Sequence, residues 1–349
     1  MEPTTEQHQI RFTGDAKTYF GIWIVNILLS IVTLGIYSAW AKVRTQRYFN
    51  QNTLIDDRRF DYHATGKQLL IGRLLVVLFL ILTAVPVLGA VLLLGLIVAL
   101  PWLINRSLAF HARMTSFSGV RFGFDGSYGR AFLVFMLYPL LSVLTLFLFT
   151  PFLSRASHRY VLNNARYGTA RFGFDSPIGP FYAAFLLSAL TGVALACIAF
   201  IALGGVGMYQ QFMLAVQYGA TPQAGSEMII LVLYASLFIG LLPAGFIYQA
   251  FLRNAVYSNI TLQGGHRFVS TVKPLHMVWI ALSNAVLSVI SLGLLYPWAK
   301  VRMARYLADS TQVKVAGSFD VFVGIEEGKV TSVGDAYTDI EGIDLGLAV

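Results

Sequence analysis

Two clusters of cations have the residue types and spacing that bind anions. They have identical spacing and consist of Lys42, Arg44, Arg47, Lys300, Arg302 and Arg305. On a helix, side chains three or four residues apart share a face. Guanidinium groups bind phosphate through paired N–H donors. Two interpretations stay open: general attraction to an anionic membrane surface, where each cation contributes about 1 kcal/mol, or a specific lipid-headgroup or phosphate site.

Three tryptophans, Trp40, Trp102 and Trp298, stand where long apolar runs meet basic segments. An indole ring favours the headgroup zone, since its face is apolar and its N–H needs a polar partner. We therefore predict that they anchor the chain at a membrane interface. The alternative is an aromatic surface that stacks on a ligand.

Paired polar side chains also occur inside two apolar runs. Asn26 and Ser30 lie one helical turn apart, as do Asn284 and Ser288. An amide surrounded by hydrocarbon needs a hydrogen-bond partner, so these residues indicate either helix packing or a substrate or ion pathway. The cores of the runs contain no Asp or Glu, which argues against ion-coupled transport, since such transporters usually keep a carboxylate there.

Catalytic and metal-binding patterns are missing from the sequence. The six histidines are scattered, no nucleophile or phosphate-loop motif is present, and the single Cys197 sits in an apolar run as a small filler. Asp15, Asp125 and Asp175 precede apolar runs and are predicted to cap helices. We therefore predict no enzymatic activity, no metal site and no cofactor.

The composition places these residues in a membrane protein. Of 349 residues, 56% are hydrophobic and 12% are charged, and the mean hydropathy is +0.67. A soluble domain carries about a quarter charged residues. The net charge of +8 comes from basic residues that flank the apolar runs, so we expect membrane lipids and not nucleic acid as partners.

Six apolar runs predict about seven transmembrane helices, with six or eight as alternatives, because the second run has the length of a tight helical hairpin around Pro86. Short interfacial helices and β-hairpins are expected between the spans. The runs cover residues 18–39, 74–104, 131–153, 181–203, 228–252 and 275–298.

Internal repeats connect these elements. Residues 26–48 align with 284–306 without a gap, and the segment 121–125 (RFGFD) recurs at 171–175. Alternation predicts a strand near Ile10 and a hairpin at 312–323. The hairpins could form one small sheet at the membrane surface, which requires all of them to lie on one side of the membrane. Basic loops normally indicate the cytoplasmic side, but here every segment between the runs is basic. Charge therefore does not decide whether the hairpins lie on both sides or whether some runs are re-entrant.

The sequence divides into a repeated membrane domain, residues 1–324, and a tail, residues 325–349. The first unit of the domain covers 12–66 and the last covers 268–324. The tail is acidic and glycine-rich, which predicts disorder.

The motif from Thr33 to Tyr48 (TLGIYSAWAKVRTQRY), with Phe12-Thr13-Gly14 before the span, resembles the YjgN-like family of bacterial inner-membrane proteins. The resemblance runs from about Phe12 to Gly324 and is most specific in the end units. It implies a multi-pass inner-membrane protein of unknown biochemical function and supplies no catalytic or binding residues. The middle units depart from the motif: the Arg166 unit lacks the Lys-Val-Arg context and the Arg253 unit lacks the tryptophan.

Two function classes remain. The first is a transport or channel-like protein for a small solute or lipid, with a pathway between the duplicated helices. The second is a membrane scaffold or envelope-interaction protein that binds anionic lipid through its basic interfacial helices. Protein partners and oligomeric state are open.

Overall fold

Short strands alternate with groups of helices in the computed structural model, which describes residues 5–219 and 223–337. Across these residues a strand, a group of two to four helical segments and a second strand recur in five consecutive units. The first unit contains β1 Thr5–Phe12, α1 Ala16–Val32, α2 Ser38–Gln51 and β2 Thr53–Ile55, and the second contains β3 Arg58–Tyr62, α3 Gly66–Thr83, α4 Pro86–Met114 and β4 Thr115–Phe117. The third contains β5 Val120–Phe124, α5 Tyr128–Phe132, a π-helical turn Leu133–Leu137, α6 Tyr138–Leu144, α7 Thr150–Asn163 and β6 Ala165–Tyr167. The fourth contains β7 Ala170–Phe174, α8 Gly179–Ala202, α9 Gly205–Gln217, α10 Gln223–Tyr257 and β8 Ile260–Leu262, and the fifth contains β9 His266–Ser270, α11 Pro274–Ile290, α12 Tyr296–Asp309 and β10 Thr311–Ala316. A last helix, α13 (Phe319–Tyr337), follows the fifth unit.

The ten strands of these units form one closed antiparallel barrel in the order β1-β10-β9-β8-β7-β6-β5-β4-β3-β2. The long strand β1 closes it. Its first half pairs with β10, and its second half, from Ile10 to Phe12, pairs with β2. The first and last strands of the chain are therefore neighbours.

Tight turns lie at one end of the barrel. Asp56 and Asp57 between β2 and β3 have φ of +51° and +58°, and Ser118 and Gly119 between β4 and β5 have φ of +48° and +82°. Left-handed pairs of this kind match the twist of an antiparallel hairpin. Because connections in an antiparallel barrel alternate between its ends, every helical connection leaves from the opposite end. All the strand turns therefore lie on one side of the helices, and the hairpins are not divided between two faces.

The prediction of about seven spans with separate β-hairpins between them is wrong. Four helices of the described chain are long and apolar enough to cross a membrane: Gly66–Thr83, Pro86–Met114, Gly179–Ala202 and Glu227–Tyr257. The runs 18–39, 131–153 and 275–298 each contain a turn that divides an apolar helix of 17 residues from a basic helix of 14. The strands join in one barrel because every edge needs a hydrogen-bonding neighbour.

The lumen of the barrel is filled by apolar side chains that alternate along the strands. Phe60, Phe122, Phe172 and Phe268, from β3, β5, β7 and β9, follow one another around the wall with ring centroids 6.2–6.3 Å apart. Since side chains of a strand alternate between its two faces, the repeated Arg-Phe pairs place the ring inside and the guanidinium group outside. One phenylalanine from each of the second to fifth units thus builds an arc of aromatic rings within the barrel, and β1 of the first unit contributes Ile10 to the same lumen.

Helix α13 closes the turn end of the barrel. Phe319, Phe322, Val323 and Glu326 follow helical spacing, and Phe319 and Val323 are buried in the barrel core. Glu326 is 2% exposed and accepts hydrogen bonds from the backbone and hydroxyl of Thr169, at 2.7 and 2.8 Å. Burial opposes ionisation of Glu326, but hydrogen bonds from Lys329 and Thr169 outweigh it and lower its pKa.

This helix corrects two predictions about the C-terminal region. The hairpin expected at 312–323 is absent from the described structure: β10 pairs with β1 and β9, and Gly317, with φ of +84°, redirects the chain into α13. The tail that was expected to be disordered from residue 325 is helical as far as residue 337. Residues 338–349 lie outside the described part of the chain.

Candidate functional site

The first, third and fifth units share a helical hairpin with an apolar tip. Leu34 and Leu292 have φ of +50°, and the glycine after each has φ of +88°. Leu146 and Phe147 form the corresponding tip of the third unit, with φ of +50° and +67°. In each hairpin a hydroxyl before the turn accepts a hydrogen bond from the N–H four residues on. The pairs are Thr33 with Tyr37, Thr145 with Phe149 and Ser291 with Leu295.

The two intramembrane asparagines each tie the helices of their own hairpin together. Asn26 is 5% exposed and donates to the carbonyl of Ala41 at 3.4 Å, and Asn284 is 8% exposed and donates to Ala299 at 3.0 Å. Ser30 donates to the carbonyl of Asn26. The carbonyl of Ser288 accepts from Gly293 at the tip, as that of Ser30 accepts from Gly35. In the described structure the pairs bond within their hairpins and not to each other.

One arginine of each end unit completes this link. The Arg44 guanidinium donates to the Asn26 amide oxygen at 3.3 Å and to the Tyr37 hydroxyl at 3.1 Å. Arg302 donates to the Asn284 amide oxygen at 3.1 Å and to Ser283 at 2.7 Å. All of these acceptors are neutral, so the positive charge of each arginine is held in place without being cancelled.

The next arginine along each helix also bonds to a neutral group. Arg47 donates to the carbonyl of Tyr62 at 3.2 Å, and Arg305 donates to the carbonyl of Gly14 at 3.0 Å. These bonds fasten the basic helices α2 and α12 to strand ends of the barrel. They place two fixed guanidinium groups where the helices enter the barrel, about one helical turn from Arg44 and Arg302.

The arginines of the third unit, unlike those of the end units, lie beside carboxylates. Arg155 and Arg159 of α7 both lie 3.9 Å from the carboxylate of Asp175, and Arg166 lies 3.2 Å from Asp125. Over the described residues, none of the four end-unit arginines has a carboxylate within 4.0 Å. Asp15 does cap α1, as its position predicts, by accepting from Thr18 at 2.8 Å.

Aromatic rings surround the basic helices. The Arg302 guanidinium lies 5.1 Å from the centre of the Trp298 ring, and Lys300 lies between Phe49 and Tyr296, 5.5 and 5.6 Å from their rings. Lys42 is exposed.

The other two tryptophans of the predicted set differ in exposure. Trp40 packs on Gly66 so closely that a Cβ there would clash with the indole. Trp102 is half exposed on α4, as an interfacial anchor requires.

An open crevice of about 450 Å³ runs along α12, beside the start of α1 and one face of α11. Its polar lining combines Arg302 and Arg305 with a single carboxylate, Asp309. The remaining residues that line it are Ala16, His276, Ile280, Trp298, Val301 and Tyr306. The crevice therefore offers two cations and an indole on one wall, which suits an anionic headgroup with an apolar tail.

Sequence reasoning overlooked three tyrosines that hold the hairpins closed. The hydroxyls of Tyr48, Tyr160 and Tyr306 donate to the carbonyl of the residue before the first helix, in Asp15, Ser127 and Lys273. Burial, with the neighbouring Asp15 carboxylate, raises the pKa of Tyr48, so it remains a donor at neutral pH. Tyr48 and Tyr306 lie inside the aligned repeat, which was the available signal.

No cluster of three or more His, Cys, Asp or Glu side chains suited to a metal ion occurs in the part of the chain that the structure describes.

Long apolar helices, basic helices with fixed arginines and apolar hairpin tips are the features of an integral membrane protein. The chain belongs to the family described as "Bacterial protein of unknown function (DUF898)", which matches residues 7–340. It is 29% identical over 360 residues to inner membrane protein YjgN of Salmonella typhimurium, with 88% of each chain covered. The resemblance to the YjgN-like family is therefore confirmed.

The YjgN proteins of Escherichia coli match shorter segments. The protein of strain K12 is 36% identical over 132 residues, 36% of this chain and 33% of that one, and the O157:H7 protein is 34% identical over 146 residues, 40% and 37%. No solved structure matches the chain. The relatives are inner-membrane proteins, which supports the predicted location in a bacterial inner membrane.

Proposed function

We propose that this protein is a multi-pass membrane scaffold that binds anionic lipid headgroups through the basic helices α2 and α12. The observation that carries the proposal is the state of Arg44, Arg47, Arg302 and Arg305. Each is fixed by hydrogen bonds to neutral acceptors, and the described chain offers none of them an ion pair. A phosphate in the headgroup layer supplies the missing countercharge.

The free energy of such a site is additive over the cations. Each cation beside an anionic leaflet contributes about 1 kcal/mol, which is about fivefold in affinity. The hydrogen bonds to Asn26 and Asn284 hold the guanidinium groups in place before a lipid arrives, so little side-chain entropy is lost on binding. Repeats at both ends of the chain give two equivalent sites.

A transport or channel-like role has less support. A pathway between the end units requires polar side chains that are available to a solute. Asn26 and Asn284 are instead occupied by the hydrogen bonds that join the two helices of each hairpin. For the same residues we therefore propose helix packing, and for the protein a binding role rather than an enzymatic one.

The test is native mass spectrometry of the protein from nanodiscs that contain phosphatidylcholine and phosphatidylglycerol. For Arg44→Gln with Arg302→Gln we expect at least a fivefold loss of phosphatidylglycerol adducts relative to phosphatidylcholine adducts. Arg44→Lys with Arg302→Lys keeps the charge and loses the paired donors, so a partial loss indicates that fork geometry contributes.

The matched control is Arg159→Gln, since Asp175 already lies beside Arg159. We expect this variant to retain the adducts of the unsubstituted protein. The proposal fails if the double Gln variant, folded by its circular dichroism, retains its phosphatidylglycerol adducts, or if Arg159→Gln loses as many.

A further inference from the structure

The barrel contains an apolar cavity of about 260 Å³, which is lined by the arc of aromatic rings, by Phe319 and Phe322 of α13 at one end and by Leu162 and Tyr257 at the other. Apart from His266, Tyr167 and Tyr257, its lining is apolar. The Tyr167 hydroxyl donates to the carbonyl of Phe117, and the His266 ring accepts from the backbone of Ala316, so both are already bonded. Burial lowers the pKa of His266 and raises that of Tyr167, so both are neutral at pH 7.

The size and the lining define what such a cavity holds. An enclosed apolar cavity of about 150 Å³ stays dry and takes up benzene, and the apolar lining here likewise favours hydrocarbon over water. At about 30 Å³ for each water-sized group, the lumen has room for roughly eight methylenes. A hydrocarbon chain fits this space, whereas a polar solute would lose its hydration without gaining partners.

A second space adjoins the lumen from the side of the helices. An open cleft of about 470 Å³ lies between α7 and α10. Leu162, Tyr257 and Ile260 line both the cleft and the lumen, so one layer of side chains separates them. The cleft is lined mainly by apolar residues, and its polar side chains are Ser157, His158, Gln249 and Arg253.

Arg253 is the charged group of this cleft, and part of it is unsatisfied. Its Nη2 donates to Thr311 at 3.0 Å, and its guanidinium lies 4.2 Å from the centre of the Tyr257 ring. Its Nε is buried and has no hydrogen-bond partner in the described structure. A buried donor without a partner is costly, and in the described structure the guanidinium has no carboxylate partner within 4.0 Å. A carboxylate or phosphate oxygen in the cleft would supply its countercharge.

We propose that the barrel binds one single-chain anionic amphiphile. Its head and the first part of its hydrocarbon chain lie in the cleft against Arg253, and roughly eight distal methylenes pass Leu162 and Tyr257 into the arc of aromatic rings. The site is separate from the basic helices α2 and α12, because its cleft lies between α7 and α10 and its lumen is lined by strands of the barrel and by α13. Free fatty acids and lysophospholipids share this chemistry, and the experiment distinguishes them.

The experiment places a fluorescent reporter in the lumen. Phe172→Trp is prepared in phosphatidylcholine nanodiscs, and dibromostearate or a dibromostearoyl lysophosphatidylglycerol is added as a quencher. We expect quenching beyond that of the unsubstituted protein, whose five tryptophans lie outside the lumen. Quenching by stearate alone identifies a fatty-acid site, and quenching by the lysophospholipid identifies a site for either headgroup.

Three variants test the two halves of the site. Arg253→Gln should weaken stearate binding at least fivefold, and Arg253→Lys should weaken it less. Leu162→Phe, at the boundary of cleft and lumen, should reduce quenching of the reporter at position 172 to background and adds no further tryptophan. If Phe172→Trp does not fold, native mass spectra of stearate adducts on the unsubstituted, Arg253→Gln and Leu162→Phe proteins supply the same comparison. The proposal is overturned if neither amphiphile quenches beyond background, or if adducts are unaffected by both cleft variants.

Discussion

The helical hairpins of the first, third and fifth units are short, and those of the second and fourth units are long. The two kinds differ in the distance between the turn of the hairpin and the first cation after it. In the short hairpins the first cation lies four or five residues into the second helix, about 6–8 Å from the turn. In α4 the first cation is Arg106, 20 residues after Pro86, which is about 30 Å of helix. In α10 Arg253 lies 26 residues beyond Glu227, about 39 Å. These distances follow from the helix bounds.

The difference indicates two kinds of membrane contact from one barrel. The hydrocarbon core is about 30 Å thick, and the helices of the long hairpins are long and apolar enough to cross it. We propose that the short hairpins enter it from the barrel side only. The turns agree: Leu34 and Leu292 at the short tips are 94% and 93% exposed, in backbone conformations that usually favour Gly or Asn. An exposed leucine suits such a turn when its surroundings are lipid.

The largest expected effect is an all-or-none pattern of labelling. On a Cys197→Ser background, single cysteines at Ser118, Ser258 and Ser318 should react with a membrane-impermeant maleimide from one side only. A cysteine at Tyr218, between α9 and α10, should react from the other side only. A cysteine at Leu34 should be protected from both. Reaction of Ser118 and Ser258 from opposite sides would contradict the one-sided barrel.

A charge introduced at the tip of a short hairpin should lower the free energy of unfolding more than a charge introduced at the turn of a long hairpin. Leu34→Arg with Leu292→Arg should lower the free energy of unfolding in bilayers by about 2–3 kcal/mol for each substitution, because a charge in hydrocarbon is costly. Steric trapping in bicelles, which couples unfolding to binding of a large ligand, measures this free energy.

The control for the tips is Val85→Arg in the turn between α3 and α4, which we expect to reach water on the far side. It should change the free energy of unfolding by less than about 0.5 kcal/mol, as surface substitutions usually do. If the tip variants and the Val85 variant lowered the free energy of unfolding equally, the short and long hairpins would not differ in their contact with the membrane.

The smallest expected effect concerns the polar link inside the short hairpins. Asn284→Leu removes the hydrogen bonds to Ala299 and Arg302, and we expect a loss of about 1–2 kcal/mol in the same unfolding measurement. Ser188→Ala in α8 is the comparison, since the Ser188 hydroxyl bonds only to its own helix, at Ala184. A Ser188 effect as large as that of Asn284 would mean that Asn284 does not couple helices.

The sequence predicted the membrane setting and the family, because composition and the repeated motif are local properties. It missed the short hairpins because their turns are as apolar as the helices they join. Residues such as Leu34 and Ile36 continue the hydropathy of the run from 18 to 39, and the left-handed backbone that reverses the chain leaves no mark in composition. A turn exposed to water would have been polar and visible.

Only part of the candidate site was predicted, because the sequence shows residue types and spacing within one segment but not contacts between segments. The types and spacing of Arg44 and Arg302 identified them as candidates, but their neutral partners lie 18 residues away in the sequence. The barrel lumen depends on pairing between strands as far apart as β1 and β10, and so does the cavity beside Arg253. Such contacts are set by the whole fold, so motifs in single segments did not reveal them.

The pairing of β1 with β10 also fixes an order of events during synthesis. The side chain of Gln9 bonds to the carbonyl of Asp309, 300 residues further on. At about 5–20 residues per second, translation takes roughly 15–60 s to cover that distance. One edge of β1 stays unpaired for that time, and every hairpin is already made before the last strand emerges. The barrel therefore closes only after β10, the last strand of the described chain, has been synthesised.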